Sequence, residues 1–380
     1  MSAAPIHCPL TPDQLRGRMA DPIDHLIDLT IQTRLLSTGN YKRGVIDEPF
    51  FVADLGQVIQ SSAAGNEFTE LVKCNPDPTL LRLLAELGTG FDCASTEELR
   101  IVLNLGVDPS RIISANPCKS TSSLLFAART GVTLTTFDNL DELETIQTFL
   151  PTARLVLRIY ACDNYALIEL GEKFGASVEC SFVLLQRAQE LGLEVCGVSF
   201  HVDISGGYQD SSFEKIAQSV REVLMEGFPS QTQIIAEPGR YFARSAYTLA
   251  CKILSRGCHI GEAAQERPDM LYQNDGVYGS FMNVLLEKGV VHPSLISCSS
   301  PYHLRNTKRA RGPHRYSIWE PTCDSVECVA RETTLEAEVR VGDSLKYSNM
   351  GGAWCASIFI LWLEGVLTSS SIYHGDIDAV

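Results

Sequence analysis

Residues 111–137 read RIISANPCKSTSSLLFAARTGVTLTTF. The stretch opens on a short run of Ile beside small residues and passes through Asn116-Pro117-Cys118-Lys119. It continues at helical spacing from Ser120 to Ala128, breaks at Gly131, and ends in a second run from Val132 to Phe137. Two buried strands with a helix between them is the pattern of a parallel sheet with a crossover helix. The pattern repeats outward. Leu155–Ile159 and Val195–Val202 read as further buried strands, and Leu140–Phe149 and Phe182–Leu191 as helices. Upstream, Ser95-Thr96-Glu97-Glu98 is a capping box that opens an amphipathic helix ending near Gly106. Even repetition predicts an α/β fold, a TIM-like (β/α) barrel whose chemistry sits at the C-terminal ends of its strands. Lys73, Arg158, His201 and Glu237 all fall at or just after strand ends.

Beyond Arg240 the texture changes. Thr248–Leu254, Val326–Arg331 and Glu336–Val341 are short β-like runs broken by turns and a long polar loop. The expected organisation is a barrel domain over residues 46–244 and a mainly β domain from residues 245–380, with residues 1–45 packed on it.

The chain has 380 residues, is 45% hydrophobic and 20% charged, and carries a net charge of −15. This suits a globular protein with a sizeable core and argues against a nucleic-acid surface. Thirteen cysteines are scattered without a CxxC pair, which reads as reduced thiols and a cytoplasmic protein. The first thirty residues lack a charged region followed by an apolar run, so no signal peptide is expected. The apolar run Ala356–Leu363 is too short to span a bilayer, so no membrane partner is expected. The basic cluster Arg305–Arg315 reads as a solvated loop.

The chemistry-bearing residues form a set. Lys73 lies in Leu71-Val72-Lys73-Cys74-Asn75, followed by Gly88-Thr89-Gly90-Phe91-Asp92-Cys93-Ala94-Ser95. Farther on come Glu237-Pro238-Gly239-Arg240 and Pro321-Thr322-Cys323-Asp324. A pyridoxal phosphate enzyme needs a lysine that forms an imine, a group that sets the charge on the pyridine nitrogen, and a phosphate cradle. Lys73 is the candidate for the first, Glu237 for the second, and Arg240 with the Ser205-Gly206-Gly207 turn for the third. In a decarboxylase Cys323 could return a proton to the substrate carbon while Asp324 binds a distal ammonium. No zinc spacing, nucleophile elbow, Walker loop or GxGxxG is present, and no metal is expected.

Over nearly its whole length the chain resembles the eukaryotic ornithine decarboxylase family, pyridoxal phosphate enzymes with an alanine-racemase-like barrel and a C-terminal β domain. The matches include Phe51–Gly56, Lys73-Cys74-Asn75, Gly88–Ser95, Ala115–Lys119, Leu155–Ile159 and Lys173–Ala176. They continue through Ser199–Val202, Ala236–Tyr241, Asn274–Phe281, Pro321–Asp324 and Asn349–Gly351. The resemblance implies that Lys73 holds the cofactor and His201 stacks on its ring. It implies that Glu237 pairs with the ring nitrogen, that Gly207 and Arg240 hold the phosphate, and that Asp92, Glu98 and Arg158 buttress the site. It places Cys323 and Asp324 in the active site of a second copy, which makes the enzyme a homodimer with shared sites acting on an amino-acid substrate. Lys173 and Glu327 match an ion pair between the two copies.

Three departures bear on function. His201-Val202 runs directly into Asp203-Ile204-Ser205-Gly206-Gly207, where the family has about one further βα unit of roughly 30 residues. A phosphate-binding serine goes with that unit. At the family's distal-amine aspartate stands Glu287, and one extra methylene moves the carboxylate by about a bond length. In place of the family's phosphate-binding tyrosine stands either Ala353 or Trp354. Two functions therefore stand. The first is decarboxylation of ornithine or a related basic or diamino acid, in polyamine or alkaloid-type metabolism. The alternative is a non-catalytic homologue that regulates by binding protein.

Overall fold

The computed structural model describes residues 22–37, 48–62, 69–162, 173–201, 239–259, 267–296, 309–352 and 359–363, with scattered residues between 218 and 237. Two compact units emerge, residues 61–242 and residues 1–60 together with 243–380.

The contiguous unit carries six parallel strands in chain order: β2 (Thr69–Leu71), β3 (Gly90–Cys93), β4 (Ile112–Ser114), β5 (Leu134–Phe137), β6 (Arg154–Arg158) and β7 (Glu194–Ser199). Helices connect them: α3 (Pro78–Glu86), α4 (Thr96–Asn104), α5 (Thr121–Thr130), α6 (Leu140–Phe149) and α7 (Val178–Glu190). Each begins at a polar cap whose side-chain oxygen accepts an otherwise unpaired N–H of the first turn. The caps are Asp77, Ser95, Ser120, Asn139 and Ser177. The capping box is present in modified form: Ser95 Oγ accepts the Glu98 N–H at 3.2 Å, while Glu98 Oε2 reaches past the cap and accepts the Ala94 N–H at 2.8 Å. Helix α5 ends on Gly131 at φ 80°, a left-handed conformation that glycine adopts without a Cβ penalty.

The register keeps the strand ends level. Leu71 pairs with Asp92, Cys93 with Ser114, Ser114 with Thr135, Phe137 with Leu157 and Arg158 with Ser199. The residues that follow these strands are thereby gathered at one end of the sheet. Leu80, Leu84, Phe91, Leu99, Val102, Phe137, Leu143, Ile146 and Leu155 are fully buried beneath them. The expected strand Val195–Val202 starts one residue earlier and ends at Ser199, with Phe200 and His201 outside it. The segment where a βα unit was expected to be absent lies outside the described residues.

The second unit is a mixed eight-stranded sheet. Strand β1 (Phe50–Asp54) pairs antiparallel with β8 (Tyr247–Gly257) and parallel with the strand Phe359–Leu363. The domain boundary expected at residue 45 therefore falls at residue 60, because β1 belongs to this sheet rather than to the barrel. Helix α1 (Pro22–Ser37) buries Ile27 and Ile31 against Phe50, Val52, Ala250 and Ile296. Val326–Arg331 and Glu336–Val341, expected as two runs, contribute to one strand, Cys328–Ala337. The chain then turns where the Arg340 N–H donates to Asp343 Oδ2 at 2.7 Å and Gly342 takes φ 89°. Among the described residues no helix is long and apolar enough to cross a membrane.

Candidate active site

Lys73 sits in a 3-10 turn, Val72–Cys74, directly after β2. Asp92 lies inside β3 and is buried, as is Arg158, the last residue of β6. His201 follows β7 by two residues, and Glu237 precedes the short helix Gly239–Arg244 that carries Arg240; all three are half-buried. Gly207 lies outside the described residues.

The structure brings Arg158, Asp92 and Glu237 together. Burial pulls the Arg158 guanidinium down from its ordinary pKa, and the carboxylates of Asp138, Glu237 and Asp92 oppose that pull. Each of these three carboxylates favours a positive charge nearby. That suits a protonated pyridine nitrogen. Two hydroxyls near strand ends, Thr136 Oγ1 and Ser199 Oγ, are buried and find no hydrogen-bond partner among the described residues. Carboxylates, a guanidinium and hydroxyls at the C-terminal ends of a parallel sheet, beside the turn that carries Lys73, form a set that fits pyridoxal phosphate.

In the other unit, Cys323 and Asp324 lie on an exposed turn between the strands Arg311–Trp319 and Cys328–Ala337. Asp324 is held on both sides. Its Oδ2 accepts the Tyr278 hydroxyl at 2.7 Å and its Oδ1 accepts the Val326 N–H at 3.1 Å. These bonds lower its pKa. The two oxygens keep further lone pairs. Glu287 follows the helix Met282–Leu286, its N–H bonded to Asn283 O at 2.9 Å. Glu327 is buried and accepts the Thr322 hydroxyl, while Lys173 lies 4.8 Å over the ring of its neighbour Phe174.

Sequence reading assigned no role to Asp138, Phe174 or Tyr278. Asp138 follows the C-terminal end of β5, the position where barrel chemistry is expected, and that placement was the available signal. The contacts that give Phe174 and Tyr278 a purpose are made across the fold and leave no local signature.

The class defined by this fold and donor set is a pyridoxal phosphate enzyme built on a parallel (β/α) sheet with an attached β unit. Residues 67–206 match the model of the pyridoxal binding domain of pyridoxal-dependent decarboxylases. The chain is 38% identical over 349 residues to the decarboxylase flvG of Aspergillus flavus, covering 80% of this chain and 81% of that one. It is 36% identical over 366 residues to the ornithine decarboxylase of Schizosaccharomyces pombe, covering 86% and 83%. Among solved structures, the arginine decarboxylase of Paramecium bursaria Chlorella virus superposes with a TM-score of 0.76 at 25% identity, covering 88% of this chain and all of that one. The chain belongs to the ornithine decarboxylase-like family of pyridoxal-dependent decarboxylases.

Proposed function

We propose that the chain decarboxylates ornithine or a related basic or diamino acid, releasing CO2 and the corresponding amine. The observation that carries this reading is that the Asp92 and Glu237 carboxylates act on Arg158 at the end of β6, with Asp92 in register beside the strand that leads to Lys73. In this reading Lys73 anchors the cofactor and His201 packs on its ring. Glu237 holds a proton at the ring nitrogen, and Asp92 and Arg158 fix the carboxylate's charge. Arg240 and the Gly207 turn hold the phosphate. When bound, pyridoxal phosphate supplies the electron sink that takes the electrons left behind by CO2. Cys323 returns a proton to the substrate carbon, and Asp324 and Glu287 receive the distal ammonium. Tyr278 and Val326 hold the Asp324 carboxylate ionised, the form that pairs with an ammonium.

Cys323 and Asp324 stand on an exposed turn, which supports a homodimer in which each copy completes the other's site. Free thiols at Cys93, Cys118, Cys251, Cys258, Cys323 and Cys328 support a reducing, cytoplasmic setting. Glu287 in place of an aspartate favours a substrate other than ornithine, and with it a role in secondary metabolism.

Borohydride reduction of the purified protein with pyridoxal phosphate, followed by peptide mapping, tests the site. The expected result is a reduced adduct on Lys73 that is lost in Lys73→Ala. A folded wild-type protein that takes up no cofactor would sink the reading and favour a non-catalytic homologue. Glu287→Asp is expected to improve kcat/KM for ornithine; no change in either constant removes Glu287 from substrate selection.

A further inference from the structure

The segment Lys173–Ala176 is fastened to the end of β6 at several points. Ala176 N–H donates to Arg158 O at 2.9 Å, and Tyr160 N–H donates to Ala176 O at 2.8 Å. Between them Gly175 takes φ +117°, and a Cβ there would stand 2.8 Å from the Tyr160 backbone. The Gly175 N–H donates to Asp138 Oδ2 at 2.9 Å, which ties the segment to the end of β5 as well. The neighbouring Phe174 ring has the Arg158 guanidinium 5.2 Å from its centroid. Asp138 thus reaches Arg158 in two ways: its own charge faces the guanidinium, and its bond to Gly175 fixes the ring packed against it. Asp138 also faces Lys119, and its Oδ1 accepts the Asn139 side-chain amide at 2.9 Å.

We propose that Asp138 is a positioning residue of the cofactor site, holding Arg158 against Glu237 and Asp92 through its charge and through the Gly175–Phe174 clamp. The proposal rests on the cofactor role assigned above to Glu237 and Arg158. A planar ring beside a guanidinium attracts it and leaves its N–H groups directed in the plane, so the clamp orients as well as neutralises. Removing the Asp138 charge makes the local field less negative. Cations there, including a protonated ring nitrogen, then lose their proton at lower pH.

Asp138→Asn is the informative variant, because its side-chain oxygen still accepts the Gly175 N–H while the charge is gone. The full-length protein is titrated with pyridoxal phosphate by fluorescence, and the pH midpoint of the cofactor's visible band and the kcat and KM for ornithine and lysine are recorded. Apo-protein Tm serves as the fold control. Asp138→Asn is expected to move the midpoint to lower pH and to lower kcat on the order of 10- to 100-fold, the size of loss a misplaced group causes, with KM nearly unchanged. Phe174→Leu is expected to lower kcat in the same direction and Phe174→Tyr to restore it, since tyrosine keeps the ring. If wild type binds the cofactor while Asp138→Asn keeps the wild-type midpoint and kcat, the inference fails and the function stands. A lowered Tm with an unmoved midpoint makes Asp138 a packing residue and also overturns it. Wild type that binds no cofactor overturns the function, and the inference with it.

Discussion

The middle of the parallel sheet and its β7 flank end in opposite states. In the middle, at β4–β5, Thr135 and Phe137 are fully buried. There Lys119 is buried with its Nζ 2.7 Å from Glu142, donating also to Asn116 O and Thr136 O. On the β7 flank, exposure alternates residue by residue, and Val198 and Phe200 are 60% and 57% exposed. Its ion pair, Arg154–Glu194 at 3.4 Å, lies in solvent. Among the described residues β7 pairs only with β6. A strand of this kind is buried by what lies beside and above it, and its own sequence does not secure that. The difference predicts a gradient of stability running across one sheet.

The largest test of that gradient sets Phe137 against Phe200. Phe137→Ala is expected to cost about 3–5 kcal/mol through a cavity, and Phe200→Ala to stay within about 0.5 kcal/mol, measured by urea unfolding. Equal costs would abolish the distinction between the middle and the flank. The ion pairs repeat the contrast. Lys119→Met leaves Glu142 charged and buried, an expected loss of ~3–5 kcal/mol, while Lys119→Met with Glu142→Leu recovers most of it. Arg154→Ala at the solvated pair is expected to cost ~0–1 kcal/mol. If Arg154→Ala proves as damaging as Lys119→Met, burial does not govern these pairs.

A smaller effect is set by pH. Burial raises the carboxyl of Asp77, the α3 cap, from 3.8 to about 6, opposed by hydrogen bonds from the Leu80 and Thr79 N–H groups. The folded state therefore holds a proton that the unfolded state releases near pH 4. Stability from this group is full below about pH 4 and declines as pH rises through about 6. Asp77→Asn keeps the cap acceptor and is expected to add ~1–3 kcal/mol at pH 7 and little at pH 4. A gain that is the same at both pH values would contradict the shift. Ser95→Ala is expected to cost about 1 kcal/mol from the lost α4 cap, read as a lower urea midpoint.

Much of this was legible in the sequence for local reasons. Strand–helix alternation, the Ser95–Glu98 box and the Gly131 stop each depend on residues within a few positions of one another, and each is present in the structure. The strand-end residues were legible too, because the register follows from the alternation. What escaped was made at long range. Strand β1 reads as well for a barrel as for a mixed sheet, and only its pairing with β8 decides. Asp138 sits in an ordinary Phe-Asp-Asn run, and its contact with Gly175 spans a helix and a strand. Tyr278 meets Asp324 only because two turns of the β unit converge.

The pairing of β1 also has a consequence for synthesis. Phe50 is hydrogen-bonded into a sheet with Ala250 and Phe359, so β1 waits for partners made much later in the chain. The unit at 61–242 is contiguous and can assemble while the chain is still emerging. The β unit cannot begin to close until β8 has emerged, which leaves the apolar edge Phe50-Phe51-Val52-Ala53 as a segment for a chaperone to guard.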